Sequence, residues 1–184
     1  MTFVAKKSLG QNFLNDNKVI KIIADLGKID RDDFILEVGA GTGNLTEIIL
    51  EQSPKKLYVI EKDQRLASYL NEKFGDKINI FNEDMMKFEY ERYYKDKLII
   101  FGNLPYNIST QILAKWIRVK NLDSFCKKFI LMFQKEVADR IIAETNTKNY
   151  GRLSILSNWK MKITKIIDID PGSFKPAPKV KSTL

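Results

Sequence analysis

The residues Asn103, Leu104, Pro105 and Tyr106 combine side chains that could act on an aromatic amine. An amino group attached to a ring is a weak nucleophile, because its lone pair is delocalised. Acceptors placed on its two N–H bonds draw the nitrogen toward tetrahedral geometry and free that lone pair. Asn103 Oδ1 and a backbone carbonyl near Leu104 would serve, and Tyr106 would stack on the ring, a contact worth roughly 1–3 kcal/mol per base. Pro105 fixes its own φ and pushes Leu104 away from helical angles, so the turn is stiff. In isolation the four residues read more simply as a β-turn with an aromatic core residue. Their context reverses that preference: they follow the apolar run Leu98 to Phe101, suited to the buried centre of a parallel sheet, and lie downstream of a glycine-rich turn.

That turn is formed by Gly39, Gly41 and Gly43, between an apolar strand at Ile35 to Val38 and a helix at Asn44 to Leu50. A strand, a tight turn and a helix open a nucleotide-binding unit, in which bare backbone lets a ligand lie against the chain. A second strand, Leu57 to Ile60, ends at Glu61, placed to accept both hydroxyls of a ribose. A third, Ile78 to Phe81, leads to Asp84, which can accept from an adenine amino group, although such a residue alone is more simply a turn former. The ligand should carry a nucleoside. Asn44 stands where a dinucleotide fingerprint has its third glycine, which weakens that reading. With Glu37 before Gly39, the stretch instead resembles the first motif of S-adenosylmethionine-dependent methyltransferases, in which the glycines make room for a cofactor that has no phosphate.

The chain contains no histidine and one cysteine, Cys126, so the usual general base, an internal disulfide and a multi-cysteine metal site are all excluded. A sulfonium methyl donor needs neither base nor metal. Alignment of nitrogen, methyl carbon and sulfur can supply up to roughly 7–11 kcal/mol of the barrier. The net charge of +8, from 31 basic and 23 acidic residues, favours a polyanionic partner, with a lysine-rich proteome as the plainer alternative. No apolar run approaches the length of a membrane span and no signal peptide is apparent, so a cytoplasmic location is expected.

The remaining elements must position these groups. Residues 1–15 read as an ordered arm in which Gln11 and Asn12 either line a ligand pocket or merely cap the core. A helix capped at Asp16 or Asn17 should bury Val19, Ile22, Ile23 and Leu26 and end at Gly27. Further helices are expected over 63–74, 109–118, 134–144 and 150–159, with strands over 128–133 and 162–169 and a solvated loop over 89–97. A proline-rich loop closes the chain. Within it Phe174 serves two readings equally, a second stacking face for the base or a loop anchor.

Taken together, the segments Lys7 to Leu14, Leu36 to Thr46, Val59 to Glu61, Glu83 and Asp84, Gly102 to Thr110, Gln134 to Ala138, Tyr150 to Ser154 and Phe174 to Val180 resemble the small-subunit ribosomal RNA adenine dimethyltransferases. The resemblance covers nearly the whole chain. It implies a Rossmann-like α/β fold with a central, mostly parallel seven-stranded sheet and helices on both faces, and dimethylation of two adjacent adenosines near the 3′ end of that RNA. It also implies that Asn12, Leu14, Gly39, Glu61, Asp84 and Asn103 contact S-adenosylmethionine, with Gln11 and Gly41 completing the set, while Asn103, Tyr106 and Phe174 hold the target adenine on the Leu104–Pro105 turn. No metal is expected; the expected partners are small-subunit ribosomal RNA and the precursor of the small subunit, met by a monomer. Residues 1–184 would form the catalytic domain, with 170–184 leading to a helical C-terminal domain outside this chain. Two alternatives remain: a similar large-subunit RNA adenine methyltransferase that confers antibiotic resistance, and an RNA-binding assembly factor for which methylation is secondary.

Overall fold

The computed structural model describes residues 3–89 and 96–184 and contains one seven-stranded sheet. Five of its strands, β2 (Phe34–Val38), β3 (Lys56–Ile60), β4 (Asn79–Phe81), β5 (Leu98–Asn103) and β6 (Cys126–Gln134), are mutually parallel. Two short strands, β7 (Asp168–Ile169) and β9 (Ser182–Thr183), complete the edge in antiparallel pairing. The order across the sheet is β4-β3-β2-β5-β6-β9-β7. A separate ribbon pairs β1 (Phe13–Leu14) with β8 (Phe174–Lys175). The chain runs outward from β2 to β4 and then returns to place β5 on the other side of β2. This reversal opens a crevice at the carboxyl ends of β2 and β5, the place where such sheets bind ligands.

Alternation along the strands divides the core in two. Ile35, Leu57, Ile99 and Phe101 point to one face, where α1 (Asn17–Gly27), α2 (Asn44–Glu51) and α3 (Gln64–Phe74) bring Ile20, Ile23, Ile49 and Leu70. Leu36, Tyr58, Leu98 and Ile100 point to the other, packed by α4 (Ser109–Ile117) and α5 (Leu122–Phe125) through Ile112, Trp116 and Phe125. Two further helices, α6 (Lys135–Ile141) and α7 (Arg152–Lys160), flank this second layer. The expected sheet and its two helical layers are therefore present. Cys126 is buried.

Several local expectations change. In α1 the buried stripe uses Ile20 and Ala24, and Ile22 is exposed. The helix ends at Gly27 as expected, and the left-handed residue that caps it is Lys28, at φ 49°. Gly27 is required because a Cβ there would lie 2.8 Å from the Phe101 ring. α6 stops at Ile141, where Ser154 Oγ and Asn158 Nδ2 donate to the terminal carbonyls of Arg140 and Ile141. The strand expected over 162–169 shrinks to Asp168–Ile169, because β9 offers only two residues to pair with. Of the loop expected over 89–97, residues 90–95 lie outside the described residues.

Candidate active site

A convergence of polar groups lies in the crevice at the ends of β2, β3 and β5. Glu61, just past the end of β3, is buried, and each of its oxygens accepts one backbone N–H: Gly41 to Oε2 at 3.0 Å and Asp63 to Oε1 at 2.9 Å. Burial raises its pKa, and these two bonds oppose the rise. Each oxygen keeps lone pairs for a diol. Glu37, near the end of β2, is more deeply buried, and its Oε2 accepts the Thr46 hydroxyl at 2.7 Å. Burial lifts its pKa to about 7, and the negative charge of Glu61 adds to the effect.

The three glycines have different tasks. Gly39 has φ +73°, and a Cβ on it would meet only Asn103 O, at 3.4 Å, so this glycine faces the open crevice. At Gly41 the missing side chain makes room for Phe13, whose Cδ1 would lie 2.9 Å from a Cβ, and at Gly43 for Phe74 and Leu70. The expectation that all three make room for ligand is corrected: two of them let the arm and α3 close against the turn.

The arm forms one wall. Asn103 Nδ2 donates to Asn12 O at 2.9 Å, which leaves Oδ1 as the outward acceptor of that amide. Asn44 Nδ2 donates to Leu14 O at 2.8 Å and ties the arm to the start of α2. Gln11 lines the crevice, yet its amide is committed elsewhere, accepting from Lys6 N at 2.7 Å and donating to Asp63 Oδ2 at 3.1 Å. Asp84 also lines it, with Oδ1 accepting from Met86 N and Oδ2 from Lys62 Nζ at 2.8 Å. The Lys62 ammonium holds the Asp84 carboxyl below its ordinary range.

At the far end, Leu104, Pro105 and Tyr106 line the same crevice. The turn is fixed by its own carbonyls, Pro105 O accepting from Ile108 N–H at 3.1 Å and Tyr106 O from Ser109 Oγ at 3.3 Å. The Tyr106 hydroxyl is 2.6 Å from Ser182 Oγ, a contact that sets the plane of the ring from the last strand of the chain. Phe174 is the one expected site residue that does not join them. It is 4% exposed, packed in the core with Leu14 and opposite it in the β1–β8 ribbon, where it anchors that ribbon. Sequence reading missed Asp63, Asn44, Lys62 and Ser182. Ser182 had no signal of its own, and Asp63 was hidden behind its role as the cap of α3.

A carboxylate placed for a ribose and a glycine opening fit S-adenosylmethionine, and this sheet order with that crevice defines an S-adenosylmethionine-dependent methyltransferase. The family model described as ribosomal RNA adenine dimethylase matches residues 2–184, and the chain belongs to that family. It is 54% identical over 180 residues to the ribosomal RNA small subunit methyltransferase A of Pelagibacter ubique (strain HTCC1062), covering 98% of this chain and 68% of that protein. The protein of the same description from Malacoplasma penetrans (strain HF-2) is 39% identical over 183 residues, covering 99% of this chain and 65% of its own. Among solved structures, a dimethyladenosine transferase from Plasmodium falciparum superposes with a TM-score of 0.83 at 33% identity, over 93% of this chain and 61% of that one. The 23S rRNA methyltransferase ErmE follows at 0.77 and 29%, over 94% and 67%. The chain thus spans about two thirds of the length of the curated relatives it matches.

Proposed function

We propose that this protein transfers methyl groups to the exocyclic amino groups of two adjacent adenosines near the 3′ end of small-subunit ribosomal RNA, working as a monomer in the cytoplasm on the precursor of the small subunit. The observation that carries the reading is the Asn103 amide. Its Nδ2 is spent on Asn12 O, so its Oδ1 is held as an acceptor beside the turn that also carries Tyr106, in the same crevice as Gly39 and Glu61. Among the described residues no helix is long and apolar enough to cross a membrane.

Bound S-adenosylmethionine supplies a methyl group on a sulfonium, already electrophilic. The side chains of this protein do the rest by position. Glu61 takes the ribose hydroxyls, Asp84 faces the cofactor's adenine, and Asn12, Leu14, Gly39 and Gly41 shape the wall around it. Gln11 acts at one remove, by holding the arm. Tyr106, its ring plane set by Ser182, stacks on the target base. Asn103 Oδ1 and the Leu104 carbonyl accept the two N–H bonds of the target amine, which Pro105 keeps at a fixed spacing. The nitrogen forms its new bond to carbon as the carbon–sulfur bond breaks. One amino proton then leaves to water, since the alkylated nitrogen is far more acidic than the amine.

The test is radiolabelled methyl transfer to undermethylated small ribosomal subunits, mapped by nuclease digestion, with large subunits alongside. Label at two adjacent small-subunit adenosines is expected. Label on the large subunit instead would overturn the substrate assignment, and an Asn103→Ala variant as active as wild type would overturn the role of the turn.

A further inference from the structure

Asp63 makes more contacts than a helix cap needs. As the cap of α3 its Oδ1 accepts from Arg65 N at 3.1 Å. The same carboxylate also accepts from Lys6 Nζ at 3.1 Å, Gln11 Nε2 at 3.1 Å, Arg65 Nε at 3.1 Å and Arg65 Nη2 at 2.7 Å. Its side chain is wholly shielded from solvent, an environment in which an anion persists only when it is fully paired. Two of its donors, Lys6 and Gln11, belong to the arm. They bracket the turn Lys7–Leu9, which is closed on itself by Lys6 N–H donating to Gln11 Oε1 and by Gly10 N–H donating to Lys7 O. Arg65 adds a reach to the arm, donating to Val4 O at 3.4 Å. The backbone N–H of Asp63 meanwhile donates to Glu61 Oε1 at 2.9 Å.

We propose that Asp63 is a positioning residue, a clasp that fastens the arm as the outer wall of the cofactor crevice and ties that closure to the placement of the Glu61 carboxylate. The inference rests on the cofactor reading of the crevice. Residues Ser8 to Leu14 line the crevice, and the clasp holds the Lys6–Gln11 turn from which this wall begins. Docked, the arm presents Asn12 O to Asn103, so the clasp also acts on the catalytic amide through one further hydrogen bond.

Asp63→Asn separates clasp from cap. Asparagine caps helices as well as aspartate does, but it removes the charge facing Lys6 and Arg65 and turns a donor toward the Gln11 amide. The expected result is a Kd for S-adenosylhomocysteine, measured by calorimetry, raised about tenfold or more, the scale of losing charge-assisted hydrogen bonds. Hydrogen exchange at Leu9 to Phe13 of the unliganded protein should accelerate while α3 and the sheet stay protected. Adding Gln11→Glu to Asp63→Asn restores complementary polarity, because the amide introduced in α3's cap can donate to the carboxylate introduced in the arm, and the double variant should recover part of both losses. The proposal is overturned if arm exchange in Asp63→Asn matches wild type, or if α3 loosens while the arm stays protected. Wild-type protein that fails to bind S-adenosylhomocysteine would instead overturn the cofactor reading, and the exchange comparison would still judge the clasp.

Discussion

Replacing Glu37 with glutamine should stabilise the protein at pH 8 relative to wild type and flatten its stability between pH 5 and 7. The carboxyl group of Glu37 is 2% exposed and holds its proton until about pH 7, whereas in the unfolded chain it releases it near its ordinary value of 4.5. Between those values the folded state binds the extra proton, so stability falls as pH rises, and the loss is complete above the folded pKa. At about 1.4 kcal/mol per pH unit, this window amounts to about 3 kcal/mol. Glutamine is of similar size, keeps an oxygen to accept the Thr46 hydroxyl, and does not titrate. Glu61, also raised by burial, gives a slope of the same sign in both proteins, so the informative quantity is the difference between them. Urea unfolding at half-unit steps from pH 5 to 8.5 should show the variant-minus-wild-type difference growing by up to about 3 kcal/mol and then levelling off. Parallel curves across that range would show that Glu37 titrates normally in the folded protein and would refute the reasoning.

Asn103→Ala should slow single-turnover methyl transfer by about a hundredfold or more, the scale of losing one preorganised polar contact, with a smaller loss of cofactor affinity by calorimetry. Tyr106→Phe should keep the stacking surface and lose only the Ser182 contact, about 1 kcal/mol in urea unfolding, while Tyr106→Ala should weaken RNA binding by roughly 1–3 kcal/mol in filter-binding assays. Gly41→Ala forces a Cβ against Phe13 at φ +60°, and should cost about 1–3 kcal/mol of stability by thermal melting and loosen the arm together with cofactor binding. Phe174→Ala should cost about 3–5 kcal/mol in urea unfolding, as expected of a buried aromatic, a loss that a solvent-facing stacking residue would not show.

The chemistry of this protein was largely written in local patterns. The strand, glycine turn and helix around Gly39, the acidic ends of β3 and β4, and the Asn103 turn after β5 are each set within about ten residues, where periodicity, positive-φ glycines and proline geometry act directly. Their order along the chain also implied the parallel sheet, because each of these apolar strands is followed by a connection long enough for a crossover. Other features depended on partners remote in sequence. Gly41 and Gly43 are glycine because Phe13 and Phe74 fold back against them, and Gly27 because of Phe101. That Phe174 anchors a ribbon depends on Leu14, 160 residues earlier, which pairs with it. The strand expected after Lys162 depended on how much edge β9 would offer. The clasp at Asp63 joins residues more than 50 positions apart whose types are ordinary on any surface. Local backbone preference is fixed by neighbours in the chain, but the desolvation that turns a surface aspartate into a buried, fully paired anion exists only once the arm, β3 and α3 have packed together.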